Sequence, residues 1–134
     1  MPKYLTDTNI LIDHLRGDSI ASRVLRDVEA GRLRATISVV TECELLASPV
    51  LTSRDERRII ELLELLPRVA VTSRIARLAA QVRRRHPVTI ADALIAATAL
   101  LSHATLVTRN LKDFRTIQGL HLQSIPLAEA PRIQ

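Results

Sequence analysis

Four acidic residues stand where a chain could do chemistry: Asp7 in LTDTNILID, Glu42 in SVVTECELL, Asp92 in TIADALIAATALL and Asp113 in TRNLKDF. Carboxylates gathered in one place repel one another, which raises their pKa values and opposes folding. A divalent cation removes that penalty. Hard oxygen donors without cysteine pairs or an HxxxH spacing favour Mg²⁺ or Mn²⁺ over Zn²⁺. Mg²⁺ takes one or two carboxylates and keeps several waters, which leaves room for a phosphate and an attacking water. If the four side chains converge, the chemistry they suit is metal-assisted phosphodiester hydrolysis.

Each of the four also has a purely structural role open to it. Asp7 can cap the helix that follows it, and Glu42 can complement a helix dipole. Thr89-x-x-Asp92 and Asn110-x-x-Asp113 both have the spacing of a capping box. Asp92 fits this structural account least well. Its helical neighbours are Ile95, Ala96 and Ala99, on a helix that is apolar around most of its circumference and is therefore expected to be buried. A carboxylate there must be paired, hydrogen-bonded or bound to a cation. Glu42 is expected beside the face formed by Val39, Cys43 and Leu46, with Glu44 pointing elsewhere.

The elements that must position these groups follow from periodicity and punctuation. Short β-branched or apolar strands are expected at 3–6, 34–37, 69–71, 104–107 and 121–125. Helical patterns fill the intervals at 8–16, 19–30, 38–48, 54–66, 74–86 and 90–102. Gly17 and Gly31 stop the first two, and Pro49, Pro67 and Pro87 close the next three. Ser53-x-x-Glu56 reads as a capping box, and Ser73 and Thr89 as caps. Strands separated by helices imply an α/β fold with a mainly parallel sheet covered on both faces. In such sheets ligands bind beyond the carboxyl ends of the strands, which is where Asp7 falls.

The chain has 134 residues, enough for one domain with a real core, and no repeat, linker or low-complexity segment divides it. Its apolar runs are too short to span a membrane, and Met1–Pro2–Lys3 enters the first strand without a secretory leader. A lone Cys43 excludes an internal disulfide and a cysteine zinc cluster; it is expected as a small buried hydrophobe in a cytoplasmic protein. The net charge of +5 and the pI near 10.6 point toward a polyanionic partner. With one Tyr and one Phe, the chain is not built to grip bases by stacking, so a nucleic acid would be held through its phosphates.

Taken in order, LTDTNILID, SVVTECELL, ADALIAATAL and LVTRNLKDF resemble the PIN domain, and most closely the toxin nucleases of VapBC toxin–antitoxin pairs. The resemblance spans roughly residues 3–126. It implies a compact α/β/α sandwich and Mg²⁺- or Mn²⁺-dependent cleavage of RNA. It also implies a homodimer and a small antitoxin that blocks the site. By position, Asp7, Glu42, Asp92 and Asp113 match the family's acidic residues, and Asn9, Thr108 and Asn110 match its polar surroundings. Asn110 and Asp113 compete for the place nearer the metal.

Arg109, Lys112 and Arg115 flank this site and are candidates for contact with RNA. Arg83, Arg84, Arg85 and His86 read as a solvated helix end, and Arg54, Arg57 and Arg58 as part of a charged helix face with Asp55 and Glu56. His14 is expected in packing, since a metal-activated water needs no imidazole base. The apolar residues of 54–66 exceed one core-facing stripe, which suggests an interface with a second copy or an antitoxin helix. A DNA 5′ nuclease and a catalytically inactive binding module are the alternatives. A phospho-receiver domain is disfavoured, because this N-terminus lacks the adjacent acidic pair it requires.

Overall fold

The computed structural model describes residues 2–127. Five strands, β1 (Lys3–Thr6), β2 (Arg34–Ser38), β3 (Arg68–Val69), β4 (Thr105–Val107) and β5 (Leu122–Gln123), form one sheet in the order β3-β2-β1-β4-β5. Every neighbouring pair is parallel. Seven helices connect them: α1 (Thr8–Leu15), α2 (Ser19–Glu29), α3 (Val39–Leu46), α4 (Ser53–Glu64), α5 (Ser73–Arg85), α6 (Ile90–Leu101) and α7 (Leu111–Phe114).

Side chains alternate across the strands, so the sheet has two buried faces. Leu5 and Leu106 join Ile75, Ala79, Ile95, Ala96 and Phe114 in the core beneath α5, α6 and α7. Ala35, Ile37 and Val107 point the other way, into a core with Ile10, Leu11, Leu25, Leu45 and Ile59. This is the α/β/α arrangement expected of a parallel sheet covered on both sides. Among the described residues no helix is long and apolar enough to cross a membrane.

Local signals set most of the boundaries. Asp18 caps α2 through Ile20 N and Ala21 N, and Gly17 and Gly31 adopt positive φ just past the helices they end. Two caps lie one residue earlier than expected. Thr52 and Asp55, not Ser53 and Glu56, form the capping box of α4, and Thr72 rather than Ser73 caps α5. In both places a Thr-Ser pair offers two hydroxyls, and the one on extended backbone takes the role. The third strand is shorter than expected and lies at 68–69, and the one-turn helix α7 adds to the predicted elements.

Two expectations about burial change. Cys43 is exposed, because the inward side of α3 is formed by Thr41 and Leu45. Most of the apolar surplus of α4 is core: Ile59, Leu62, Leu63 and Leu66 are buried, while Ile60 and Leu65 stay 45% and 36% exposed.

Candidate active site

From β1 the chain builds the sheet outward through β2 to β3, then crosses to the other side of β1 to lay down β4 and β5. The carboxyl ends of β1 and β4 therefore open side by side at the point where the winding reverses, the usual ligand crevice of an open α/β sheet. Asp7 leaves β1 with its N–H donated to Val107 O at 2.9 Å, so the two strand ends are fastened together.

Asp7 is 3% exposed and adopts the extended backbone of an N-cap. Its Oδ1 accepts the Thr8 N–H at 2.9 Å, and its Oδ2 accepts the Thr108 hydroxyl at 2.7 Å. Despite these two bonds, its pKa is pushed up to about 6, by burial first and then by the Asp92 and Glu44 carboxylates. Asp7 is thus both a helix cap and the buried centre of an acidic cluster. Capping alone explains neither its depth nor its acidic neighbours.

Thr89 caps α6, its hydroxyl accepting the Asp92 N–H at 3.1 Å, which places Asp92 in the first turn. Partial burial raises the Asp92 pKa, and the Glu44 and Asp113 carboxylates raise it further. Asp113, in α7, accepts the Asn110 amide at 2.8 Å. Asn110 starts α7 without a side-chain capping bond, so the expected box is replaced by this side-chain contact.

The second acidic position needs correction: the structure brings Glu44, not Glu42, to the cluster. The Thr8 hydroxyl donates to Glu44 Oε1 at 2.8 Å and stands 2.9 Å from the Thr41 hydroxyl. Glu42 lies on another side of α3, with Oε2 3.2 Å from Nε of Arg68 at the start of β3. Two residues along a helix turn the side chain by roughly 200°, so the two glutamates cannot share a face. Glu44 follows the buried Thr41 at the i+3 spacing that shares a helix face, but that burial comes from the fold and is not written in the sequence of α3. Thr8 and Thr41, both buried, are the further polar residues that inspection of the sequence missed.

The remaining candidates are placed as follows. Thr108 is buried and holds Asp7, while its oxygen also accepts the Asn110 N–H at 2.9 Å. Asn9 is exposed in the first turn of α1. Lys112 and Arg115 are exposed on and after α7. Arg109 is not a free cation: its guanidinium binds Asp13 at 2.8 Å and Asp18 at 2.7 Å. His14 meets Ser22 Oγ through Nδ1 at 2.8 Å and is held in the packing of α1 on α2.

Among the described residues no group of three His, Cys, Asp or Glu side chains is arranged to hold a metal ion by itself. The donor chemistry nevertheless suits Mg²⁺ or Mn²⁺, which are satisfied by one or two carboxylates with water completing the shell. Asp92 and Glu44 raise the cost of ionising Asp7, and Glu44 and Asp113 that of ionising Asp92, so Asp7 and Asp92 are the groups such an ion would relieve.

Known proteins share this architecture. The PIN domain family pattern matches residues 4–120. Ribonuclease VapC19 of Mycobacterium tuberculosis is 32% identical over 116 residues, covering 82% of this chain and 90% of the relative. A toxin–antitoxin complex from Klebsiella pneumoniae contains a chain that superposes with a TM-score of 0.74 at 33% identity, over 87% of this chain and 94% of that one. VapBC2 from Rickettsia felis, bound to a DNA fragment from its promoter, gives 0.79 at 22% identity over 91% and 98%; at that identity the likeness concerns the fold.

Proposed function

The chain belongs to the PIN domain family, and on that premise we propose that it is a metal-dependent endoribonuclease, the toxin of a toxin–antitoxin pair. The observation that carries this is the acidic cluster at the β1/β4 switch point. Asp7 lies within electrostatic reach of Asp92 and Glu44 there, Asp92 lies within reach of Glu44 and Asp113, and the innermost of them is too buried to serve only as a cap.

Asp7 and Asp92 would hold Mg²⁺ or Mn²⁺, with Glu44 and Asp113 adding negative charge around it. When bound, such an ion supplies an acidified water and a counter-charge for the phosphate. The chain's own residues fix the geometry. Thr108 and the Thr8 N–H hold both oxygens of Asp7, the Thr8 hydroxyl holds Glu44, and Asn110 holds Asp113. Lys112 and Arg115 are the exposed cations on the α7 side of the cluster suited to RNA phosphates.

The partners proposed are RNA, an antitoxin and a second copy of the chain, acting in the cytoplasm. A cleft of about 300 Å³ supports the antitoxin, since Ile12, Leu15, Leu45, Leu51 and Ile59 line it and Glu44, the neighbour of Asp7, is among its polar residues together with Arg16 and Arg58. Exposed Ile60 on α4 and Leu65 just after it support a further apolar contact.

Two measurements test this. Millimolar Mg²⁺ or Mn²⁺ is expected to raise the melting temperature, since a ligand that binds only the folded chain stabilises it, and to switch on cleavage of a total RNA pool. No response of either quantity would remove the metal site; cleavage of flapped DNA in place of RNA would favour the 5′ nuclease alternative. RNA binding should weaken steeply as salt rises, and Lys112→Gln with Arg115→Gln should flatten that dependence by a slope of about two. An unchanged slope in the double variant would move the RNA path off α7.

A further inference from the structure

Three consecutive residues after β4 each hold a different acidic partner. Thr108 donates to Asp7 at 2.7 Å, and Asn110 donates to Asp113 at 2.8 Å. Between them, Arg109 Nη1 donates to Asp13 Oδ2 at 2.8 Å and Asp18 Oδ2 at 2.7 Å, and its Nη2 donates to Asp18 Oδ1 at 3.2 Å. Asp13 sits near the end of α1, and Asp18 is the N-cap that starts α2. The arginine therefore fastens the loop carrying Thr108 and Asn110 to the turn between α1 and α2. A planar guanidinium bound through both terminal nitrogens resists rotation in a way a single-point contact does not.

We infer that Arg109 is a positioning residue: it sets the 108–110 loop so that Thr108 and Asn110 hold the Asp7 and Asp113 carboxylates in place. Its charge gives a second reason to separate it from the RNA contacts. One guanidinium shared by two carboxylates leaves a triad with net negative charge, which repels a phosphate. The three side chains are each about 30% exposed, so solvent screens the pairs and their effect on stability is small. What the triad contributes is geometry at the cluster.

The kinetic part of the test rests on the nuclease proposal, so a second readout independent of cleavage accompanies it. The proteins are Arg109→Gln, the double variant Asp13→Asn with Asp18→Asn, the triple variant combining them, and Arg109→Lys. Expected for the first two is a drop in kcat of about tenfold with KM and salt slope unchanged, the pattern when transition-state stabilisation is lost without loss of ground-state binding. The triple variant should be no worse than either, because all act through one unit. Arg109→Lys should recover part of kcat, since it keeps the charge but not the planar fork.

Amide hydrogen exchange at Asn110, whose N–H is held by the Thr108 hydroxyl, should quicken equally in Arg109→Gln and in the Asp13/Asp18 double variant. A raised KM and a shallower salt slope in Arg109→Gln, with the double variant like the parent, would make Arg109 an RNA contact and overturn the inference. Unchanged exchange at Asn110 would overturn it too. A parent that cleaves no RNA would sink the nuclease proposal and leave exchange to decide the positioning role. If Arg109→Gln fails to fold, Asp18→Asn alone retains the Asp13 bond and must show a smaller shift in the same direction.

Discussion

Asp7→Asn is expected to fold, to melt at a higher temperature than the parent in metal-free buffer at neutral pH, and to cleave RNA on the order of a hundredfold or more slowly, as when metal-centred charge stabilisation is removed. Stability and activity move in opposite directions because the carboxylate serves both. As a cap, an amide replaces it well: Asn and Asp rank together at this position, and the amide oxygen can still accept the Thr8 N–H. The Thr108 hydroxyl can turn to accept the new amide, since an oxygen has two lone pairs. As a buried charge beside Asp92 and Glu44, Asp7 is costly, and the substitution removes that cost.

The pH dependence gives this prediction its signature. Burial raises the folded-state pKa of Asp7 from 3.8 to about 6, so the folded chain holds this proton more tightly than the unfolded chain does. The contribution of this group to stability is therefore complete below about pH 4 and is lost as pH rises to about 6, with no further change above. The loss is on the order of 2–3 kcal/mol, from the size of the shift. The gap in melting temperature between Asp7→Asn and the parent should widen across this interval and then level off. Divalent metal should reverse it at neutral pH by stabilising only the parent. A variant less stable than the parent at all pH values, or one that still cleaves RNA at the parent's rate, would return Asp7 to capping alone.

The sequence made the centre of the site legible and left its rim obscure, for a physical reason. Asp7 and Asp92 are fixed by local signals: a strand end running into a capped helix, and a Thr cap three residues before a carboxylate on an apolar helix. Such patterns need no knowledge of distant contacts. The helices were legible for the same reason, through Gly17, Gly31 and the prolines that stop them. Arg109 was not, because its partners lie 91 and 96 residues away and nothing beside it announces them. The α7 turn is four residues long, too short to show a period. The phase of α3 failed differently. It is eight residues long, with Val39, Val40, Leu45 and Leu46 spread round it, so no apolar stripe shows which side faces the sheet end.

That ambiguity of phase makes the two glutamates of α3 a decisive pair to compare. Glu44→Gln is expected to slow RNA cleavage by roughly tenfold or more, while Glu42→Gln stays within about twofold of the parent, as befits a group bound only at the far side of the helix. Gln keeps the shape of either side chain and its ability to accept a hydrogen bond, so each change tests charge. Glu42 and Arg68 form an exposed pair, with side chains 34% and 39% accessible, and breaking it should cost no more than about 1 kcal/mol. Glu44 instead adds to the field at Asp7 and Asp92 and raises the pKa of both. Removing its charge should therefore lower both pKa values in metal-free protein, which carboxyl-carbon NMR can follow residue by residue, and weaken the stabilisation by Mg²⁺. Glu42→Gln should leave both titrations where they are. This readout needs no RNA, so it places the second acidic residue even if the substrate is still unidentified. Equal cleavage by Glu44→Gln and the parent, together with unmoved titrations of Asp7 and Asp92, would take Glu44 out of the site and leave Asp7, Asp92 and Asp113 to carry it.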